Sequence, residues 1–180
     1  MRALVVYESM YGNTHLVANA IGRGLEVMAD VSVLAVHDAD DADLEGVDLV
    51  VVGGPTHVHS MSRSRTRNAA VDAATGDDEL VVEPDAAGPG VREWLASLPT
   101  TPPGGVRAAA FDTRIDAPAI LTGRASKAID RALRHHGFAT IAEPESFLVT
   151  KHNELEPDEA TRATAWGAQL VAVVGAGISR

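Results

Sequence analysis

Tyr7-Glu8-Ser9-Met10-Tyr11-Gly12-Asn13-Thr14 is the stretch from which the fold is read. The run before it, Ala3 to Tyr7, is apolar, partly β-branched and too short for a helix, which predicts a buried parallel strand; a long helical pattern follows it. The stretch is therefore a strand-to-helix turn. Ser9, Gly12, Asn13 and Thr14 can bend the backbone and aim hydroxyl, amide and N–H donors at the start of a helix, where the free N–H groups and the positive dipole end attract phosphate. With one glycine and no lysine, the turn fits neither G-x-G-x-x-G nor the P-loop, so a single phosphomonoester suits it better than a triphosphate. The plain alternative is an ordinary capped turn with Asn13 or Thr14 as N-cap.

Outward from this turn, Leu16, Val17, Ala20, Ile21, Leu25 and Met28 recur at helical spacing and predict a helix of about four turns packed on a sheet, with Gly22 and Gly24 permitting close approach to that sheet. Val31, Val33 and Ala35 predict a second strand, and Asp38, Asp40, Asp41, Asp43 and Glu45 a solvated acidic connection. Asp48 to Gly54 is a continuous apolar run ending in glycines, the mark of a strand buried on both faces. Gly53-Gly54-Pro55-Thr56-His57-Val58-His59 then leaves the carboxyl edge of the sheet, where open α/β sheets bind ligands. His57 and His59 lack a third ligand nearby, so no metal site is expected.

Two segments together, Ser9-Met10-Tyr11-Gly12-Asn13-Thr14 and Gly53-Gly54-Pro55-Thr56, resemble the FMN loops of the flavodoxin family. The resemblance implies that Ser9, Met10, Tyr11, Gly12, Asn13 and Thr14 hold the phosphate of FMN, and that Pro55, Thr56, His57 and Val58 flank the flavin ring. It further implies a third loop at Asp112, Thr113, Arg114 and Ile115, whose backbone reaches the pyrimidine edge. The chain departs from the family pattern there, because no residue from Asp112 to Gly123 is aromatic. Arg114 stands where the family usually presents acidic and aromatic residues.

The remaining segments complete the pattern. A helix is expected to start after Ser60, with Arg63 and Arg67 on one face as a basic patch, either solvated or docking an acidic partner or a nucleotide phosphate. Thr75 to Gly90 reads as an irregular surface excursion with an apolar break at Leu80 to Val82. Val91, Trp94, Leu95 and Leu98 form the apolar face of a short helix stopped at Pro99. A turn from Pro102 to Gly105 leads to a fourth strand, Val106 to Phe111. The next helix runs from Ser126 to His136 and ends at Gly137; a fifth strand is split at Glu143 to Glu145, and a last helix starts near Pro157. The expected fold class is α/β: a flavodoxin-like doubly wound parallel five-stranded sheet of order 2-1-3-4-5, helices on both faces, in a single domain spanning 1–180.

Length and composition agree: 180 residues, 46% hydrophobic, with formal net charge −10 and no cysteine. The acidity disfavours nucleic acid and anionic membrane, and the lack of cysteine removes disulfides and thiolate metal sites, so any redox chemistry must come from a bound cofactor. No apolar run approaches a membrane span or a signal segment, and the expected location is the cytoplasm. The expected function is electron transfer by bound FMN, with a redox partner protein. The alternatives are an NAD(P)H-dependent FMN reductase of quinones or similar small acceptors, or a flavin-free binding module. No catalytic side chain is expected, since the flavin carries the chemistry.

Overall fold

A computed structural model describes residues 1–74, 81–100 and 105–178. The first strand, β1 (Arg2–Tyr7), is flanked on both sides: β2 (Asp30–Ala35) and β3 (Leu49–His57) pair with it in parallel, Val5 standing opposite both Val33 and Val51. On the far side of β3 runs β5 (Arg107–Ile115), also parallel, and beyond it lie β6 (Ala139–Thr140) and β7 (Glu145–Val149). The order β2-β1-β3-β5 followed by β6 and β7 is the expected 2-1-3-4-5 order, with the fifth strand split in two where Glu143 and Pro144 interrupt it. One strand escapes the sequence reading. Ser60–Met61 is not the start of a helix but β4, antiparallel to the end of β3.

Because side chains alternate along each strand, each central strand feeds two cores. Ala3, Val5, Tyr7, Leu49, Val51, Ala109 and Phe111 face α1 (Asn13–Leu25) and α6 (Glu159–Ile178). Leu4, Val6, Val50, Val52, Ala108 and Ala110 face α3 (Val91–Ser97) and α5 (Ala125–His135). A sheet covered on both faces requires apolar residues at odd and even positions alike, which is why these strands read as unbroken apolar runs. Each fully buried Val, Leu or Phe contributes about 1.5–3 kcal/mol of transfer free energy. Trp94 and Trp166 are core residues, as expected.

Two expectations about α1 are corrected. Leu16 and Met28 are 56% exposed, because the inward stripe runs through Val17, Ala18, Ala20, Ile21, Gly24 and Leu25 and leaves both outside it. Gly22 does abut the sheet at Val33, but a Cβ on Gly24 would collide with the Thr164 backbone of α6, so that glycine serves a helix crossing. Among the described residues there are also α2 (Ser64–Ala74), the short α4 (Ala119–Thr122) and a 3-10 turn at Ala42–Leu44 within the acidic connection. The Schellman pattern at Gly137 (φ 85°), with Phe138 N–H on Leu133 O and Gly137 N–H on Arg134 O, ends α5 as expected. The surface excursion from Thr75 to Gly90 and the turn from Pro102 to Gly105 fall partly outside the described residues.

Candidate functional site

Parallel strands bring all their carboxyl ends to one edge. The turn after β1 is held there by its own side chain: Ser9 Oγ accepts the Gly12 N–H at 3.1 Å, and Gly12 (φ 90°) adopts the left-handed conformation that a side chain resists. Gly12 is the N-cap of α1, with no side-chain capping bond, so neither Asn13 nor Thr14 caps the helix. The first intrahelical bond is Leu16 N–H to Gly12 O at 2.9 Å, which leaves the first-turn N–H groups without intrahelical acceptors. Glu83 straps the turn from outside, its N–H on Met10 O at 2.8 Å and its carboxylate 3.2 Å from His15 Nδ1, while His15 stacks on Tyr7.

The second segment is not a loop leaving the sheet. β3 continues through Pro55 and Thr56 to His57, then reverses through Val58 (φ 44°) and His59 (φ 72°) into β4. Pro55 is tolerated for a geometric reason. Gly53 O takes the Glu8 N–H at 2.9 Å, so Pro55, two residues on, points its missing N–H toward the same side, where β1 has already ended. The two-residue turn has positive φ at both central positions, the type I′ geometry that normally takes Asn and Gly; a β-branched Val58 there stores on the order of 1–3 kcal/mol.

Nor is the third segment a loop. Asp112 to Ile115 belong to β5, all four paired with β7 and Asp112 and Thr113 also with β3, so the backbone of Arg114 and Ile115 is engaged in the sheet on one side only. Asp112 is fully buried and its Oδ2 accepts the Ser126 N–H at 2.7 Å, while Thr56 Oγ1 accepts the Ala125 N–H at 2.8 Å. Both side chains thus seal the start of α5. Arg114 Nη1 is tied to Ala117 O at 2.7 Å and Ile115 O at 3.3 Å, which folds its guanidinium onto its own following turn.

The three segments converge on one cleft. Met10, Tyr11, Asn13, Thr14, Pro55, Thr56, His57, Thr113, Arg114 and Ile115 line a space of about 250 Å³. Thr14 Oγ1 and Thr113 Oγ1 lie 2.7 Å apart in its floor, joining the first and third segments. Ser9 and Gly12 shape the turn from behind without lining the space, and Asp112 does not reach it. Val58 is 79% exposed and belongs instead to an adjoining recess of about 280 Å³ with His59, Leu121 and Thr122, which shares Thr56, Arg114 and Ile115 with the cleft. Two lining residues escape the sequence reading, Val149 and Asn153. Asn153 adopts φ 59° and takes the Asn13 amide on its O at 2.8 Å and on its Oδ1 at 3.1 Å. The one signal was the turn-forming Thr150-Lys151-His152-Asn153 after the last strand.

The expected basic patch is corrected. Arg63 is exposed, but Arg67 is 2% exposed and turns inward, its Nη1 on Ser62 Oγ at 2.8 Å and its Nη2 3.2 Å from Glu93 Oε2. Burial pushes the His57 imidazole below its usual range; the Glu8 carboxylate pulls it up and Arg67 pushes it down again. Burial raises the Tyr11 phenol as well.

In a protein of net charge −10, the described residues of the cleft lining include no carboxylate and one arginine. The site offers an anion the helix N–H groups and one hydroxyl proton of the Thr14–Thr113 pair, since the other is donated within the pair, while Asn13 is engaged with Asn153. Residues 5–84 match the family model described as flavodoxin. No curated protein matches the chain. Among solved structures it is similar to a flavodoxin from the domain Archaea, at 23% identity and TM-score 0.65, over 97% of this chain and 99% of that one. It is similar also to flavodoxin 1 of Bacillus cereus, at 20% identity and TM-score 0.64, over 96% and 98% of the two chains. The flavodiiron protein of Giardia intestinalis aligns at 20% identity and TM-score 0.62, over 97% of this chain but 36% of its own. The likeness covers the whole sheet and its helices, and the fold is flavodoxin-like.

Proposed function

We propose that this flavodoxin-like chain binds FMN at the cleft between the β1–α1 turn and the ends of β3 and β5, and serves in electron transfer with a redox partner. The observation that carries the reading is the charge pattern: the N-terminus of α1, whose N-cap Gly12 has no side chain, opens beside a cleft lined, among the described residues, by no carboxylate in an otherwise acidic chain. The N–H groups of the first turn of α1, with the one hydroxyl proton that the Thr14–Thr113 pair leaves free, would hold the phosphate; Pro55, Thr56 and His57 would lie along the ring. FMN supplies one- and two-electron redox chemistry, and the protein's part is to hold and orient it and to set the charge around it.

Reduction of a small acceptor by NAD(P)H is the second reading. It loses one support, since Arg67 is buried under α2 and offers nothing to a nucleotide phosphate. It keeps the other: Tyr11 is the one Phe, Tyr or Trp among the described cleft-lining residues, which would leave the ring open to a second molecule. Calorimetry with FMN and riboflavin tests the site. Each charge-assisted hydrogen bond lost with the phosphate is worth about 1.5–3 kcal/mol, so riboflavin should bind at least about tenfold more weakly. Equal affinities would overturn the phosphate assignment. NADPH oxidation measured with and without a quinone then separates enzyme from carrier.

A further inference from the structure

We propose that His57 is the proton-exchanging group of the cleft: an imidazole at the end of β3 that lines the cofactor space near the buried Glu8 carboxylate, and that gains a proton when negative charge enters the cleft and returns it when that charge leaves. This rests on the FMN reading.

The geometry begins with Glu8, the first residue past β1, which is 4% exposed. One carboxylate oxygen, Oε2, accepts the Val91 N–H at 2.9 Å at the start of α3, and the other, Oε1, is buried without a hydrogen-bond partner. Arg67 is near it, since Glu8 Oε2 and Arg67 Nη1 both press on the space where Gly90 lacks a side chain. Yet the ion pair of Arg67 is made with Glu93, and its Nε is itself unpartnered. A buried carboxylate without a cation within ion-pair distance carries a desolvation cost that a nearby imidazolium would offset. His57 is the titratable neighbour that can supply one, and it also lines the cleft.

Other charged and titratable groups come from the neighbouring elements: Asp112 on β5, beside Gly54, is fully buried, its Oδ2 on the Ser126 N–H and its Oδ1 without a hydrogen-bond partner. Arg114 on β5 is folded onto Ile115 O and Ala117 O, Arg92 of α3 is held by Ser62 O and Met61 O, and Glu93 is paired with Arg67. His59 sits two residues on in the β3–β4 turn, and the Tyr11 phenol lines the cleft. Burial and Arg67 favour neutral His57, whereas Glu8 favours its protonated form, so the balance is open to one additional negative charge. With FMN bound, uptake of two electrons and one proton from an external reductant would add one negative charge to the cleft, and a second proton, from solvent, would be held on the unprotonated ring nitrogen of His57; reoxidation by an acceptor would release both electrons and both protons.

Histidine NMR titrations of the full chain, cofactor-free, FMN-loaded and dithionite-reduced, test the proposal together with potentiometry of the loaded protein. In the cofactor-free protein His57 should hold its proton less tightly than free imidazole does, and Glu8→Gln should loosen it further. Reduction of bound FMN should raise the proton affinity of His57 about tenfold or more. Over the corresponding pH interval the midpoint potential should follow one extra proton per two electrons, and His57→Gln should abolish that extra dependence. If FMN binds and the His57 titration ignores reduction, or the pH dependence survives in His57→Gln, the proposal falls alone. If calorimetry detects no FMN binding, the cofactor reading falls and takes the proposal with it. A cofactor-free His57 indifferent to Glu8→Gln removes the coupling on which the proposal stands.

Discussion

Arg67 leaves α2 toward the interior and gives its guanidinium to Ser62 Oγ and Glu93 Oε2, while Arg63, one helical turn back, stays in solvent. Removing a partner from a buried ion pair costs about 3–5 kcal/mol, because the remaining polar groups are stranded. The Glu93 side chain is 42% exposed and can rehydrate, so Arg67→Ala should lose about 3 kcal/mol of stability, at the low end of that range. Arg63→Ala should stay within about 0.5 kcal/mol of the parent. Urea denaturation of the two variants checks this: equal, small effects would return Arg67 to a solvated helix face. The sequence could not distinguish the two arginines, because their spacing is that of a shared helix face and the acceptors that pull Arg67 inward are Ser62, just past β4, and Glu93 of α3. The same limit applies to Asp112 and Thr56. Each sits in a segment that resembles a cofactor loop, and each turns its side chain to the N-terminus of α5, a contact that depends on how two distant segments pack.

At the scale of elements, the central strands were legible and their ends were not. Continuous apolar runs bounded by polar turns mark β1, β3 and β5 correctly, but the pattern stops at Gly54 and Phe111, where side-chain apolarity stops, whereas pairing continues to His57 and Ile115. Polar strand ends are the expected price of a sheet whose carboxyl edge forms a cleft. A helix crossing is equally hidden in sequence, since Gly24 reads as a site of close approach to the sheet rather than to another helix. In the structure, a Cβ on Gly24 would strike the Thr164 backbone and one on Gly167 the Ile21 backbone, so α1 and α6 touch main chain to main chain. At an exposed helix position Gly→Ala gains up to about 1 kcal/mol. Here the sign should invert. Gly24→Ala and Gly167→Ala should each destabilise by about 1–3 kcal/mol through overpacking, measured by urea denaturation with tryptophan fluorescence, since α6 carries the core residue Trp166. Stabilisation by either would mean that the helices can separate without cost.

Over the whole molecule, the carboxyl edge of the sheet gathers groups whose protonation is tied to folding, and these should bound the pH range of stability. Burial, with the Glu83 and Asp38 carboxylates, raises the Tyr7 phenol from 10.0 to about 12. A raised phenol keeps its proton in the native state after the unfolded chain has lost it. The contribution of Tyr7 is therefore complete below about pH 10 and is lost as pH rises toward about 12. His57 works in the opposite sense. Its folded proton affinity is depressed, chiefly by burial, so the unfolded chain binds the proton first as pH falls below about 6.5, and stability declines until the native imidazole is protonated too. Denaturation midpoints of the cofactor-free protein measured across pH should form a plateau through neutrality with a shoulder on each side. Tyr7→Phe should remove the alkaline shoulder and leave the acid one, and His57→Gln should do the reverse. The two residues lie on adjacent strands of one sheet edge, so a single variant that flattened both shoulders would show that this edge titrates as one coupled group rather than two.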